Sequence, residues 1–395
     1  MNSSAPLSGI QIISLEHAIA APLCTRQLAE LGARVIKIER RLTGDFARHY
    51  DSRVRGQSSH FVWTNRGKQS LTLDLKKQPA RSILHRLLAG SDVLVQNLAP
   101  SATDRMGLTF DDLCASYPHL IVCNITGYGS SGPYADRKAY DLLVQAEAGF
   151  LSVTGDPDHL AKSGISIADI AAGMQAQAAI LAALIKRSQT GAGSRIDISM
   201  LEAMVEWMGY PLYYAYDGAS PPVRSGTDHA SIYPYGAFRT GDGRTVIIGL
   251  QNEREWQTFC VEILELPELV TDRRFADNTG RSANRDALKS LIEQKFSQFT
   301  ESRLAARLNQ AKIACSTVND MAAVWNHPQL LALQRLVEVD TPAGPVQGFR
   351  PPGNNNSYES VVGAVPALGG HTDAILAELG FSASEIDALR ASEII

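Results

Sequence analysis

Residues 9–39 narrow the fold of this chain more than any other stretch. GIQIISL (9–15) is an unbroken apolar run of strand length. After a turn over 16–22, a helical segment from about 23 to 31 meets a C-terminal glycine, Gly32, and RVIKIE (34–39) is a second strand-like run. Two buried strands joined by a helix make a β-α-β unit, which implies a parallel sheet with helices on its faces. The alternation continues, with strand-like runs at 70–75, 92–96, 120–125 and 195–199 and helical segments at 81–89 and 200–209. The first loop holds alanine and proline instead of G-x-G-x-x-G, which argues against a dinucleotide site.

In doubly wound sheets ligands bind beyond the carboxyl ends of the strands. The loops after Leu15, Glu39, Gln96 and Ile125 therefore matter most, together with the one leading into Asp169. The stretch SGISIADIAAGMQAQAAILAALIKR (163–187) brings that single carboxylate to the mouth of a long apolar helix. Ile170, Met174, Leu181, Leu184 and Ile185 form its large apolar face, and the other face is Ala and Gly, suited to close backbone packing. Two readings of Asp169 follow. It caps the helix, as short acids do, or it is a nucleophile that the free N–H groups and the helix dipole keep ionised.

At 395 residues the chain has room for two domains, and 45% apolar with 20% charged residues is a globular composition. A net charge of −4 leaves no basic footprint for nucleic acid. No uninterrupted apolar run reaches membrane length, and MNSSAPLSG lacks a basic-then-apolar signal. The five cysteines (Cys24, Cys114, Cys123, Cys260, Cys315) form no CxxC pair, so a reducing, cytoplasmic setting is expected. Nine histidines without HExxH or HxH spacing predict no metal site. G-x-S-x-G and P-loop motifs are absent as well. Residues 210–235, rich in tyrosine, proline and glycine, read as a connecting segment. A smaller α+β unit follows, with a strand at 245–250 and helices near 253–264, 282–299 and 301–311. Strands at 336–340 and 346–349 come next, and a terminal helix near 373–379 ends the chain.

Six motifs run in order: HAIAAPLCTRQLAELGARVIKIERRLTGD, TNRGKQSLTLDLK, VQNLAPSATDRMGL, ITGYGSSGPYADRKAYDLLVQAEAG, GISIADIAAGMQAQAAILAAL and PALGGHTDAILAELGF. Together they resemble the family III CoA-transferases (CaiB/BaiF type), the group that includes formyl-CoA:oxalate and carnitine-type enzymes. The resemblance covers most of the chain and is densest in its first half. It implies a Rossmann-like large domain (1–209), a linker (210–225), a smaller α+β domain (226–326), and a linker with a C-terminal return (327–395), in an interlocked homodimer of threaded rings.

The resemblance also implies roles. Asp169 matches the catalytic aspartate, which attacks an acyl-CoA to give a mixed anhydride and then an aspartyl-CoA thioester. His17, Ala18, Ile19 and Ala20 match the active-site loop whose backbone N–H groups stabilise the oxyanion, each worth about 3 kcal/mol. Arg40, Leu73, Lys76, Asn97, Arg105, Lys138 and Tyr140 match CoA-binding positions, and cations beside strand ends suit phosphates. CoA thioesters are then substrates, with no permanently bound cofactor, and small carboxylic acids are the other partners. Ile19 stands where the formyl-CoA enzyme has glutamine, and its glycine-rich GGGGQ loop is replaced by residues 226–235. These departures favour succinyl-CoA as donor and a small dicarboxylate such as itaconate, mesaconate or citramalate as acceptor, over a formyl-CoA:oxalate-type reaction. His229 and Tyr235 and, more weakly, Arg48 and His49 are candidates for the acceptor carboxylate. The related α-methylacyl-CoA racemases need a histidine base where this chain has Tyr140, whose unperturbed pKa is about 10. A CoA-binding protein without catalysis is the remaining alternative.

Overall fold

The computed structural model describes residues 5–395. By internal packing the chain forms two compact units. The first takes in residues up to Phe150, then Ser163–Tyr210 and Leu330–Ile395; the second takes in Leu151–Lys162 and Pro211–Gln329.

The first unit is built on six parallel strands: β1 (Gln11–Leu15), β2 (Arg34–Glu39), β3 (Lys68–Thr72), β4 (Val93–Gln96), β5 (Ile121–Thr126) and β6 (Arg195–Ser199). Their order is β3-β2-β1-β4-β5-β6, the doubly wound arrangement whose direction of travel reverses between β1 and β4. Neighbouring residues alternate between the two faces, as a pleated strand requires. Ile12, Val35, Val93, Val95, Ile121 and Cys123 enter one core; Ile13, Ile36, Leu94 and Val122 enter the other. The first core is covered by α1 (Ala20–Glu30), α4 (Ile167–Thr190) and α5 (Met200–Trp207). The second is covered by α2 (Gln78–Ala89) and by α8 (Thr372–Glu378) and α9 (Ala383–Ala391) from the returning chain. The short helix α3 (Asp141–Glu147) leads from the sheet towards α4.

Several elements depart from the sequence reading. Helix α1 begins at Ala20, with Pro22 in its first turn, and not near residue 23. Proline is compatible with the first turn, where its missing N–H has no intrahelical acceptor. The chain does not end on a helix near 373–379: α9 follows, opened by a capping box between Ser382 and Glu385. Within α4 the buried residues are the small ones, Ala168, Ala171, Ala172, Gly173 and Ala176, with Ile180. Of the residues assigned to the large apolar face, Leu181 and Leu184 pack against the core, whereas Met174 and Ile185 are 46% and 64% exposed. By length and hydropathy this 24-residue helix could cross a membrane, yet its small-residue face lies in the core of the first unit.

The second unit is an antiparallel sheet of β7 (Tyr235–Arg239), β8 (Thr245–Gly249) and β9 (Ala314–Thr317) with helices α6 (Arg285–Phe296) and α7 (Glu301–Gln310). Phe238, Val246, Ile248, Trp256, Phe259 and Phe296 form its aromatic-rich core. The hairpin β10 (Leu336–Val339) and β11 (Val346–Phe349) belongs to the first unit and packs Val339 beside Phe61 and Val365.

Candidate active site

The crevice predicted by the strand order exists. A cleft of about 920 Å³ opens at the carboxyl ends of β1, β2 and β3 and beside the chain that follows β4. Leu15, His17, Leu73, Leu98 and Met106 give it an apolar floor, and Arg40, Arg41, Lys76, Arg81 and Arg105 line it with positive charge. Guanidinium and ammonium groups gathered over an apolar floor suit a ligand with phosphates at one end and a neutral arm at the other. Arg40, Leu73, Lys76 and Arg105 thus line one cleft. Arg41 and Arg81 were missed. Arg81 sits on α2, whose other residues read as ordinary amphipathic packing, and its Nε is buried without a protein partner. Lys138 and Tyr140 do not line this cleft; both are exposed in the loop between β5 and α3.

One wall of the cleft leads to the loop between β1 and α1. Its peptides are tied down individually. Asn97 clamps His17 from both sides, its Oδ1 accepting the His17 N–H at 3.0 Å and its Nδ2 donating to the His17 carbonyl at 2.9 Å. Asn97 therefore acts on the loop. The Ala18 N–H donates to Asp45 Oδ1 at 3.1 Å. With those two N–H groups committed, the expected oxyanion role does not extend to His17 and Ala18. Ile19 caps α1 without a side-chain hydrogen bond, and the Ala20 N–H is directed to the Asp169 carboxylate.

Asp169 occupies the third position of α4 and is not its N-cap. The carboxylate of Asp141, at the start of α3, takes that duty. Its Oδ1 accepts from the Ala168 N–H at 2.8 Å and the Asp169 N–H at 3.4 Å, while Gln145 holds its Oδ2 at 2.5 Å. This frees the Asp169 side chain to face the start of α1. Gly173, one turn further along α4 on the same face, makes that approach possible. A Cβ there would lie 2.6 Å from the Ala20 carbonyl oxygen and 3.3 Å from the Leu23 Cβ. The small residues of α4 are thus what brings a carboxylate to the N-terminus of a second helix.

The expectation that a helix terminus keeps Asp169 readily ionised is reversed. Burial first, and the nearby Asp141 carboxylate second, push its pKa up to about 7, against the lowering effect of the Ala20 N–H. Beside it stands an aromatic row that the sequence did not disclose: His17, Phe46, Tyr50 and His60, with successive ring centroids 5.3–5.7 Å apart. The Tyr50 hydroxyl is raised to about 12 by burial and then by Asp45, Asp169 and Tyr140. Burial also lowers the His17 pKa, aided by Lys37 and Arg40 and opposed by Asp45.

The four acceptor candidates have other employment. Arg48 forms a two-point ion pair with Glu39, Nε to Oε1 at 2.9 Å and Nη2 to Oε2 at 2.7 Å. It also donates to the Pro366 carbonyl and stacks on Phe61 at 3.7 Å. Its guanidinium is a structural tie and not an open anion receptor, so that expectation fails. In the second unit the His229 ring stacks on Tyr235 at 5.3 Å, and its Nδ1 accepts from the Ser231 and Ile232 N–H groups. Both residues shape their own loop. His49 bonds the Thr43 carbonyl. Among the described residues no three His, Cys, Asp or Glu side chains gather as a metal site would require.

A doubly wound sheet with a cationic crevice at its switch point, and a half-buried carboxylate at the start of a neighbouring helix, suits a substrate with phosphates at one end and a reacting carbonyl at the other. The model of CoA-transferase family III matches residues 7–372, and the chain belongs to that family: it is a CoA-transferase. The chain is 34% identical to the human succinyl-CoA:glutarate CoA-transferase over 388 residues, 96% of this chain and 87% of the relative. It is 30% identical to a formyl-CoA:oxalate CoA-transferase of Escherichia coli O6:H1, covering 99% of this chain and all of the other. A crystal structure of a CaiB/BaiF family protein from Brucella suis superposes with a TM-score of 0.85 at 34% identity, over 95% of this chain and all of the other.

Proposed function

We propose that this chain transfers CoA from succinyl-CoA to a five-carbon dicarboxylate, glutarate or a relative such as itaconate, mesaconate or citramalate, with Asp169 as the covalent carrier. The observation that carries this reading is the isolation of the Asp169 carboxylate. It is released from capping by Asp141 and lies at the mouth of α1, beyond the cationic cleft. A carboxylate nucleophile divides one difficult exchange between two unactivated acids into steps that keep the acyl group activated. Asp169 Oδ attacks the succinyl-CoA carbonyl, and the C–S bond breaks to release CoA as the thiolate and leave a succinyl-aspartyl anhydride. The thiolate attacks the aspartyl carbonyl and expels succinate, giving the aspartyl-CoA thioester. The acceptor carboxylate attacks that thioester, the thiolate leaves, and its return to the acceptor carbonyl yields the new acyl-CoA and free Asp169.

The human relative's succinyl-CoA and glutarate support the choice of substrates. The cleft cations Arg40, Lys76, Arg81 and Arg105 fit the phosphates of CoA. In this reading Lys138 and Tyr140 approach the pantetheine arm only once substrate is present. Exposed apolar side chains of the first unit, Met174 and Ile185 on α4 with Val205 and Trp207 on α5, support a homodimer in which a second chain covers them. Racemisation is disfavoured because position 140 offers a phenol where a base near neutrality is needed.

Two measurements test the proposal. Incubation with succinyl-CoA followed by hydroxylamine is expected to leave a mass change at Asp169, and Asp169→Asn is expected to lose at least about 10³-fold in kcat. A panel of acids offered with succinyl-CoA, separated by HPLC, is expected to give the glutaryl-type thioester. Undiminished exchange by Asp169→Asn would refute the carrier, and deuterium exchange at the α-carbon of a 2-methylacyl-CoA would favour the racemase.

A further inference from the structure

Beneath the loop between β1 and α1 lies a fully buried group of charges that acyl transfer does not use directly. Lys37, on β2, and Lys68, on β3, are both sealed from solvent, as are the side chains of Glu16 and Asp45. Lys37 Nζ donates to Asp45 Oδ2 at 2.7 Å and to Asn65 Oδ1 at 2.9 Å; Lys68 Nζ donates to Glu16 Oε1 at 2.7 Å and to the Pro22 carbonyl at 2.9 Å. Two cations meet two anions, so the cluster is neutral, and every charge has hydrogen-bonded partners. Buried ion pairs of this kind contribute little net stability, because desolvation offsets the attraction. Holding a geometry is what they do well.

The geometry held here is strained. Ala18 adopts φ +63°, the left-handed region in which an alanine side chain crowds its own backbone. Its N–H donates to Asp45 Oδ1, and the same oxygen caps the following turn by accepting from the Ala47 N–H at 2.9 Å. Asp45 is fixed in turn, through its own N–H to Glu39 Oε1 at 3.0 Å and through Lys37 at its other oxygen. Two residues beyond Ala18, the Ala20 backbone lies against α4, its carbonyl 2.6 Å from where a Cβ on Gly173 would stand, one turn from Asp169, whose pKa the Ala20 N–H lowers. Strained residues persist where their surroundings over-determine them, and such strain is concentrated where function needs a set direction.

We infer that Asp45 is a positioning residue for acyl transfer: braced by Lys37, it pins Ala18 in the left-handed conformation and so aims the Ala20 N–H at Asp169. The inference rests on the proposal that Asp169 is the carrier. The Asp45 side chain is sealed from solvent and acts through the loop. Its removal should therefore lower kcat and leave the KM for acyl-CoA, set by the cationic cleft, within about twofold.

The test is a double-mutant cycle between Asp45→Ala and Ala18→Gly, with Asp169→Asn measured in parallel. Asp45→Ala is expected to lower kcat by roughly 10- to 100-fold. In the Ala18→Gly background the same substitution is expected to cost at least about fivefold less, because glycine adopts left-handed φ without a clamp. Asp45→Asn keeps an acceptor for the Ala18 N–H, should retain more kcat than Asp45→Ala, and serves where the alanine variant does not fold. Equal losses from Asp45→Ala in both backgrounds, a loss confined to KM, or Asp45→Asn no better than alanine would overturn the positioning role while leaving an inactive Asp169→Asn intact. An active Asp169→Asn would overturn the carrier itself, and the inference with it.

Discussion

At the scale of single residues, the site turns on one acid doing the capping so that another need not. Asp141 accepts the N–H groups that Asp169 would otherwise satisfy. Because burial and Asp141 raise Asp169 to about 7, and the carboxylate form is the nucleophile, kcat/KM should fall on the acid side with an apparent pKa near 7. Asp141→Asn keeps the cap oxygen and removes the charge, so the acid limb should move to lower pH; a pH–rate profile checks it. The stability consequence has the opposite sense. A group whose folded pKa lies above its unfolded value stabilises the fold only while protonated, and that contribution fades as pH rises from about 4 through 7. Asp169→Asn should accordingly raise Tm at pH 8, by several degrees, and change it little at pH 4. From the sequence Asp169 was visible as an important acid, and its neighbours' employment was not. Arg48 illustrates why: nothing local in ARH indicates that Glu39, nine residues back, and Pro366, far down the chain, have claimed its guanidinium.

At the scale of elements, the first half of the long helix α4 buries small residues, Ala168 to Ala176, and leaves Met174 exposed, while Ile180, Leu181 and Leu184 reach the core further along. Periodicity alone assigns the large apolar face to the core. It misleads here because close helix approach, and not volume, is what the position of Asp169 demands. Gly173 is the contact point. Gly173→Ala gains up to about 1 kcal/mol of helix propensity but places a Cβ against the Ala20 carbonyl. Overpacking costs roughly 1–3 kcal/mol, and the start of α1 must move from Asp169. The expected outcome is a Tm no higher than the parent's with kcat reduced at least about tenfold, read by thermal denaturation and initial rates. The strands were legible because their runs are short, apolar and flanked by turns. The start of α1 was not, because Pro22 reads as a breaker unless the first-turn exception is weighed. The capping box S-x-x-E at 382–385 was a local signal for α9 that could have been used.

At the scale of the molecule, the sheet of the first unit is finished by chain from its far end. The Ser70 N–H donates to His371 Nδ1 at 3.2 Å, the His371 N–H returns to the Ser70 carbonyl at 3.0 Å, and the Thr72 N–H bonds Thr372. An accepting Nδ1 has to be unprotonated. Burial, and then Arg34, lower the His371 pKa, so its contribution is complete at pH 7–8 and is lost as pH falls from the ordinary value near 6.5 through the lower folded one. Hydrogen-exchange protection over 369–376, taken relative to the intrinsic rate at each pH, should fall between pH 7 and 5, and in His371→Ala it should already be low at pH 7.5. The GGHT motif showed that this segment matters, but its partner could not be read, since a pairing across such a separation leaves no local pattern. That separation reaches 300 residues at Thr72 and Thr372. Synthesis proceeds from the N-terminus, so a ribosome has exposed β3 long before the segment that borders it leaves the exit tunnel. During that interval the strand's outer edge is open to pairing with whatever strand comes near.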